Sequence, residues 1–452
     1  MRKIKVLSPT AILGYGFPEE SFEAGMALKP DVIAVDAGST DPGPYYLGAG
    51  IPFTDREAVK RDLSIMTKGA LKHRIPLIIG TAGGSGGTSH LEWCLEIERE
   101  VLAGLGDVRI AVISAHIEKE EVTDCLSKGS VVPLDYVPGL TKKDVDECTE
   151  IVAQMGMGPI IEALEQGADI IMAGRCYDPA VFAALPVMKG YPAGLALHMG
   201  KILECAAIAA DPGSGSDCMM GVLDDTGFEV FPLNPIRRCT EMSVAAHTLY
   251  EKSNPYKLHG PDGVIDLTGC SFRQTDDKTV RVEGTVFLPS EKPMVKIEGA
   301  RLAGHRTISI AGVRDPVMIE KIDSILDYVR KTVTGRYGLP EDRYLLDFRI
   351  YGRNGVMGEN EPVRGTLSHE LGLIIDVVAR ERKLSESICS FSRSTLLHYG
   401  YEGRISTAGN LAFPYSPSDI KAGDVYEFCV YHLIPARAGM FPMEILEVRD
   451  EN

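Results

Sequence analysis

The segment Ile75-Pro-Leu-Ile-Ile-Gly80-Thr-Ala-Gly-Gly-Ser-Gly-Gly-Thr-Ser-His90, continued to Val101, decides the fold. Ile75 to Ile79 is a short apolar run of the kind that forms a parallel strand buried on both faces. Five glycines then fall in the stretch from Gly80 to His90, Gly80 included. Ser89 precedes Glu92 by three residues, the spacing of a capping box, so a helix is expected to start at His90. Leu91, Cys94, Leu95, Val101 and Leu102 then fall near one face of it. A strand, a glycine loop and a helix start gather unpaired N–H groups at one spot, where the helix dipole adds positive potential. The expected occupant is a carboxylate or phosphate, held by Gly83, Gly84, Ser85, Gly86, Gly87, Thr88 and Ser89. The loop lacks a Gly-Lys-Ser/Thr ending and is no Walker A motif.

The same grammar repeats on both sides. Strands are expected at Ile4–Ser8, Val32–Val35, Val108–Ile113 and Asp169–Ala173, with a shorter one at Val131–Leu134. Helices are expected at Glu19–Leu28, behind a Thr54/Glu57 capping box, at Glu118–Lys128, from Thr141 through Met155, and at Pro159–Gln166. Alternation of this kind gives an α/β fold, a mostly parallel sheet with helices on both faces. In open parallel sheets ligands bind outside the carboxyl ends of the strands. Gly14/Gly16, Asp36/Asp41, Gly83 to His90, Ser114/His116 and Arg175/Asp178 should therefore border one crevice.

A helix is expected from Leu195 to Ala210, and beyond it the texture changes. Phe228–Phe231, Ser271–Arg273, Thr279–Phe287 and Thr307–Ala311 read as antiparallel strands. The turn-rich stretch Asn254–Gly269 suggests a boundary, giving an α/β ligand-binding or catalytic domain over 1–260 and an α+β domain over 261–452. Within the latter, Pro316–Thr334 and Ser385–Leu397 read as helices, and Tyr344–Tyr351, Gly372–Ala379 and Val425–Leu433 as strands.

Composition bounds the function. At 452 residues the chain can bury a large core, and its net charge of −16 argues against nucleic acid or an anionic membrane as partner. No stretch approaches 18 uncharged apolar residues, and the N-terminus has no signal-peptide core. Ten cysteines without a C-x-x-C pair read as reduced thiols, so a cytoplasmic location is expected.

The candidate catalytic residues are His90, Asp36 and Asp178. Carboxylates at strand ends can move protons or hold Mg²⁺, for which Asp36, Asp41 and Asp178 are the candidate ligands. A histidine at the first turn of a helix is expected to stay neutral and to polarise a carbonyl or shuttle a proton. Arg175 is placed for a bidentate carboxylate clamp. Lys201 and Glu204, three apart on a helix, read as a surface pair. A dinucleotide alternative rests on Gly14-x-Gly16 after the first strand and Asp36 at the end of the second, although Glu19 stands where the third glycine belongs.

Gly167-Ala-Asp-Ile-Ile-Met-Ala-Gly174-Arg-Cys-Tyr-Asp178-Pro-Ala, Gly200-Lys-Ile-Leu-Glu204-Cys-Ala, Ala408-Gly-Asn-Leu-Ala-Phe-Pro-Tyr-Ser-Pro-Ser-Asp419-Ile and Tyr426-Glu-Phe-Cys-Val-Tyr-His432 resemble the acyclic terpene utilisation (AtuA-like) family. The resemblance spans nearly the whole chain, with Asp36-Ala-Gly-Ser-Thr-Asp41 its point of departure. It implies breakdown of branched acyclic terpenoids through acyl-CoA intermediates, lyase or hydratase chemistry on branched acids or their CoA esters, and a small companion protein in some relatives. The combined expectation is a lyase or hydratase, homo-oligomeric, acting on a small anionic substrate. A non-catalytic binding or assembly subunit working with a small partner is the rival.

Overall fold

A computed structural model describes residues 2–251, 253–340, 343–363, 365, 368–405 and 409–449; Ala408 of the quoted motif lies outside them. The chain forms two compact units, Met1–Arg301 with Phe428–Asn452, and Leu302–Glu427. The turn-rich stretch Asn254–Gly269 lies inside the first.

Ten strands of the first unit form one sheet: β1 (Ile4–Ser8), β2 (Val32–Asp36), β3 (Leu77–Gly80), β4 (Val108–Ile113), β5 (Ile170–Ala173), β6 (Met219–Leu223), β7 (Gly227–Pro232), β8 (Ser271–Gln274), β9 (Val280–Glu283) and β10 (Met443–Val448). Their order is β8-β9-β7-β6-β1-β2-β3-β5-β4-β10. The central five, β1-β2-β3-β5-β4, are parallel, and antiparallel strands flank them on either edge. Alternate residues feed two cores. Val32, Ala34, Ile78 and Ile171 pack on one face, and Ile33, Val35, Leu77, Ile79 and Ile170 on the other. Helices Met157–Glu165, Asp178–Met188 and Ala193–Leu203 contribute to the first core, and Glu19–Ala27, Arg56–His73 and Thr88–Leu102 to the second. The expected α/β layering is present.

Several local expectations are corrected. The glycine-loop helix starts at Thr88 with Gly87 as N-cap, and Ser89 instead donates its hydroxyl to the Gly50 carbonyl. Asp55, not Thr54, caps the helix Arg56–His73 by accepting from the Ala58 amide. Thr141 does form a capping box, with Asp144. That helix stops at Glu147, however, because Glu150–Ala153 is drawn out as a strand pairing Ile297–Ala300. Thr279–Phe287 is broken at Gly284, whose φ of +83° turns the chain between two strands. The structure adds a strand at Met219–Leu223 and a helix at Asp178–Met188.

In the second unit, Tyr344–Tyr351 and Leu371–Ala379 pair antiparallel, and the latter pairs His305–Val313. Helices Ile322–Tyr337 and Arg382–Leu397 pack on Leu373, Ile375 and Val377. This is the α+β texture read from the sequence.

Candidate functional site

The parallel strands bring their carboxyl ends into line. Asp36 at the end of β2 stands in register with Gly80 at the end of β3, and the Ala82 amide donates to the Ala173 carbonyl at the end of β5. Arg175 and Asp178 follow β5 directly. Arg175 is almost fully buried, and its Nε donates to Glu298 Oε2 at 2.8 Å. Its Nη1 donates to Asp178 Oδ1 at 2.9 Å and to the Cys176 carbonyl at 2.7 Å. Glu298 also accepts from Thr40 Oγ1 and Lys296 Nζ, so this buried carboxylate has three donors.

Burial raises carboxyl pKa values and neighbouring cations lower them; within this cluster the balance differs from one acid to the next. Burial, then the Asp178 charge, hold Asp36 well above the usual carboxylate range despite Arg175, and its Oδ1 has no hydrogen-bond partner. Glu298 is equally buried, yet Arg175 and Lys296 outweigh that burial and hold it down at about 2. The surroundings therefore favour the protonated form of Asp36 and the anion of Glu298.

Lys201 and Glu204 are not a surface pair. They are ion-paired and only 2% and 8% exposed, and Lys201 lies 5.4 Å from the centre of the Tyr250 ring. Burial lowers the Lys201 pKa, but Glu204 more than restores it. Glu204 is felt electrostatically by Asp36 and by the buried Tyr177, so these groups extend the same cluster. Glu298 and Lys296 were missed because Met294-Val-Lys-Ile-Glu298 reads as a half-exposed strand: Val295 and Ile297 face a core as the alternation requires, but Glu298 is buried too.

The glycines of the loop permit close backbone approach. A Cβ on Gly86 would lie 2.2 Å from the Arg175 nitrogen, and one on Gly83 2.5 Å from the His90 carbonyl oxygen. Residues 81 to 87 are buried. The Gly84 and Gly86 amides donate within the loop, to the carbonyls of Thr81 and Ala82. His90 is fully buried, with Nε2 3.1 Å from the Tyr46 carbonyl oxygen and 2.9 Å from that of Ile51, so Nε2 carries the proton. Its Nδ1 has no partner, and burial lowers its pKa.

The next residue, Gly87, brings a further group into the site. A Cβ there would lie 3.2 Å from Glu150 Cγ and 3.2 Å from His90 Nδ1. Glu150 Oε1 is 2.7 Å from His116 Nδ1, just beyond the end of β4. Asp41 does not join the acids. It is exposed and accepts from Ser39 Oγ at 2.8 Å.

The acid cluster does not suit Mg²⁺. A guanidinium already lies between Asp178 and Glu298, and among the described residues no group of three His, Cys, Asp or Glu could hold a metal ion. Nor does the Gly14-x-Gly16 turn suit a pyrophosphate, because both glycine amides donate at 3.0 Å to the buried Asp62 carboxylate. Among the described residues no helix is long and apolar enough to cross a membrane.

Residues 56–230 and 235–411 match the family model described as acyclic terpene utilisation family protein AtuA. No curated protein and no solved structure matches the chain.

Proposed function

The chain belongs to the acyclic terpene utilisation family, and on that premise we propose that it is a lyase or hydratase working beside the carboxyl group of a small, branched acid or its CoA ester. The observation that carries the reading is Asp36: a buried carboxyl at the end of β2 with one oxygen unpartnered, whose pKa burial and the Asp178 charge push well up. A general acid for a departing hydroxyl needs a proton held at neutral pH, and burial among like charges supplies it. On this reading Asp36 protonates the leaving oxygen, and Asp178 and the neutral His90 pass the proton back. The exposed helix start at Thr88 and Ser89, at the end of the glycine loop, holds the substrate anion, and the buried Arg175 supports electrostatically the enolate-like charge that develops on it.

A binding subunit that leaves the chemistry to a small companion protein would need only donors and apolar walls. The concentration of perturbed titratable groups favours an enzyme. The test is turnover of a panel of 3-hydroxy and α,β-unsaturated acids and CoA esters, followed by the 18-dalton mass change of water loss or gain. Asp36→Asn and Asp178→Asn should each reduce the rate by roughly 10²-fold or more with the fold intact. Wild-type rates in both variants would remove the cluster from the chemistry.

A further inference from the structure

We propose that His116 and Glu150 form a second proton-handling site, with His116 as the base that takes the proton from substrate carbon. The inference rests on the lyase reading, which assigns an acid and an anion cradle but no base for carbon. Both residues are fixed by backbone pairing. His116 pairs Val152, the Ile117 amide donates to the Ile151 carbonyl, and Glu150 is registered against Ala300 on the neighbouring strand. The 2.7 Å contact makes Glu150 the acceptor for Nδ1–H. The Nε2 lone pair is then directed away from Glu150, and the carboxylate stabilises the imidazolium that forms when Nε2 takes a proton.

Access distinguishes this pair from the deeper cluster. The His116 side chain is 33% exposed and that of Glu150 19%, whereas Arg175 and Glu298 are sealed. The charged groups facing His116 are Glu150 and Glu118, the latter 3.6 Å from Nε2 and largely exposed, free to swing aside for a substrate. Successive loop residues touch both sites: Gly86 packs on the Arg175 backbone and Gly87 lies against Glu150. A substrate whose carboxyl group rests at Thr88 and Ser89, the exposed end of this loop, lies beside Glu150, which Thr88 Oγ1 approaches to 3.5 Å. The step balances as an elimination. His116 Nε2 takes the α-proton, the C–H electron pair becomes the new C=C bond, and the C–O bond breaks. Oxygen leaves as water with the Asp36 proton; His116 then gives its proton to solvent, and Asp36 regains one through Asp178 and His90.

The experiment is deuterium uptake at the α-carbon. The protein is incubated in D₂O with saturated and 3-hydroxy acyl-CoA esters and with the free acids, and uptake is read by mass spectrometry. His116→Ala should lose at least 10²-fold in exchange rate, and added imidazole should restore part of it, which a structural role would not allow. Glu150→Gln should move the basic-form limb of the pH–rate profile to lower pH, and Glu150→Asp should recover part of the loss. His73→Gln, at an exposed helix end, should exchange like wild type. Exchange within twofold of wild type in His116→Ala, or loss that imidazole does not relieve, overturns the assignment of His116 while leaving the lyase reading standing. Absence of exchange in the wild-type protein across the panel overturns both.

Discussion

Glu298→Gln tests whether the buried charges are set as described. Glutamine keeps the size of the side chain and can still accept from Thr40, but it removes the anion between Arg175 and Lys296. With a folded pKa of about 2 against the usual 4.5, Glu298 favours the folded protein in its ionised form. At about 1.4 kcal/mol per pH unit, that gap is worth about 3 kcal/mol at pH 7. Breaking a buried ion pair by removing one partner costs about 3–5 kcal/mol in other proteins, so the two routes agree. Because the pKa is depressed, this contribution is complete above pH 4.5 and is lost as pH falls from 4.5 toward 2.

Trp93, the single tryptophan, sits in the helix Thr88–Leu102 against the second core and reports unfolding of that core. Urea denaturation followed by its fluorescence should show Glu298→Gln less stable than wild type by about 3 kcal/mol at pH 7 and at pH 5.5. The deficit should then shrink as the pH is lowered below 4.5. A deficit under about 1 kcal/mol at pH 7, the size typical of an exposed pair, would refute the balance of charges assigned to the cluster. So would a deficit that widens in acid.

Two further substitutions probe the frame around the site. Glu98, buried between the helices Arg56–His73 and Thr88–Leu102, accepts from Thr67 while its Oε2 has no partner, and burial pushes its pKa up to about 7. Wild type should therefore lose stability between pH 4.5 and 7, and Glu98→Gln should abolish that slope and gain up to about 3 kcal/mol at pH 8, read as a higher Tm. Gly86→Ala would force a left-handed residue, at φ +67°, against the Arg175 nitrogen. It should cost at least about 2 kcal/mol in denaturation, and stability within 0.5 kcal/mol of wild type would show, against an order-of-magnitude strain cost, that the close packing is unimportant.

The parallel sheet was legible because buried strands leave unbroken apolar runs, as in Leu77-Ile-Ile and Ile170-Ile-Met-Ala, each ended by glycine or a polar residue. Asp36, Arg175 and Asp178 could be picked out for the same reason: a polar residue immediately after such a run marks a strand's carboxyl end. The helix Asp178–Met188 was hidden by its composition. It is buried nearly all round, so it has no polar stripe, and Pro186 interrupts the pattern without ending the helix. The helical spacing of Val145, Cys148, Val152 and Met155 places Glu150 in a helix; tertiary pairing with Ile297–Ala300 overrides that local preference. Glu298 lies 123 residues from Arg175, and nothing local in either segment announces their contact.

Stability does not explain why these charges lie together. Desolvation makes a buried ion pair expensive, and well-packed apolar residues of similar volume commonly serve the fold as well or better. Asp36 is harder still to account for structurally, since its raised pKa means that folding disfavours its charged form and one of its oxygens meets no donor. An apolar residue at the end of β2 would remove that penalty. Groups kept at such a cost gather where their protonation states are used, at the carboxyl ends of parallel strands as here. An Asp36→Leu variant that is more stable than wild type and inactive would show that trade directly; one that is less stable and fully active would assign the carboxyl to the fold instead.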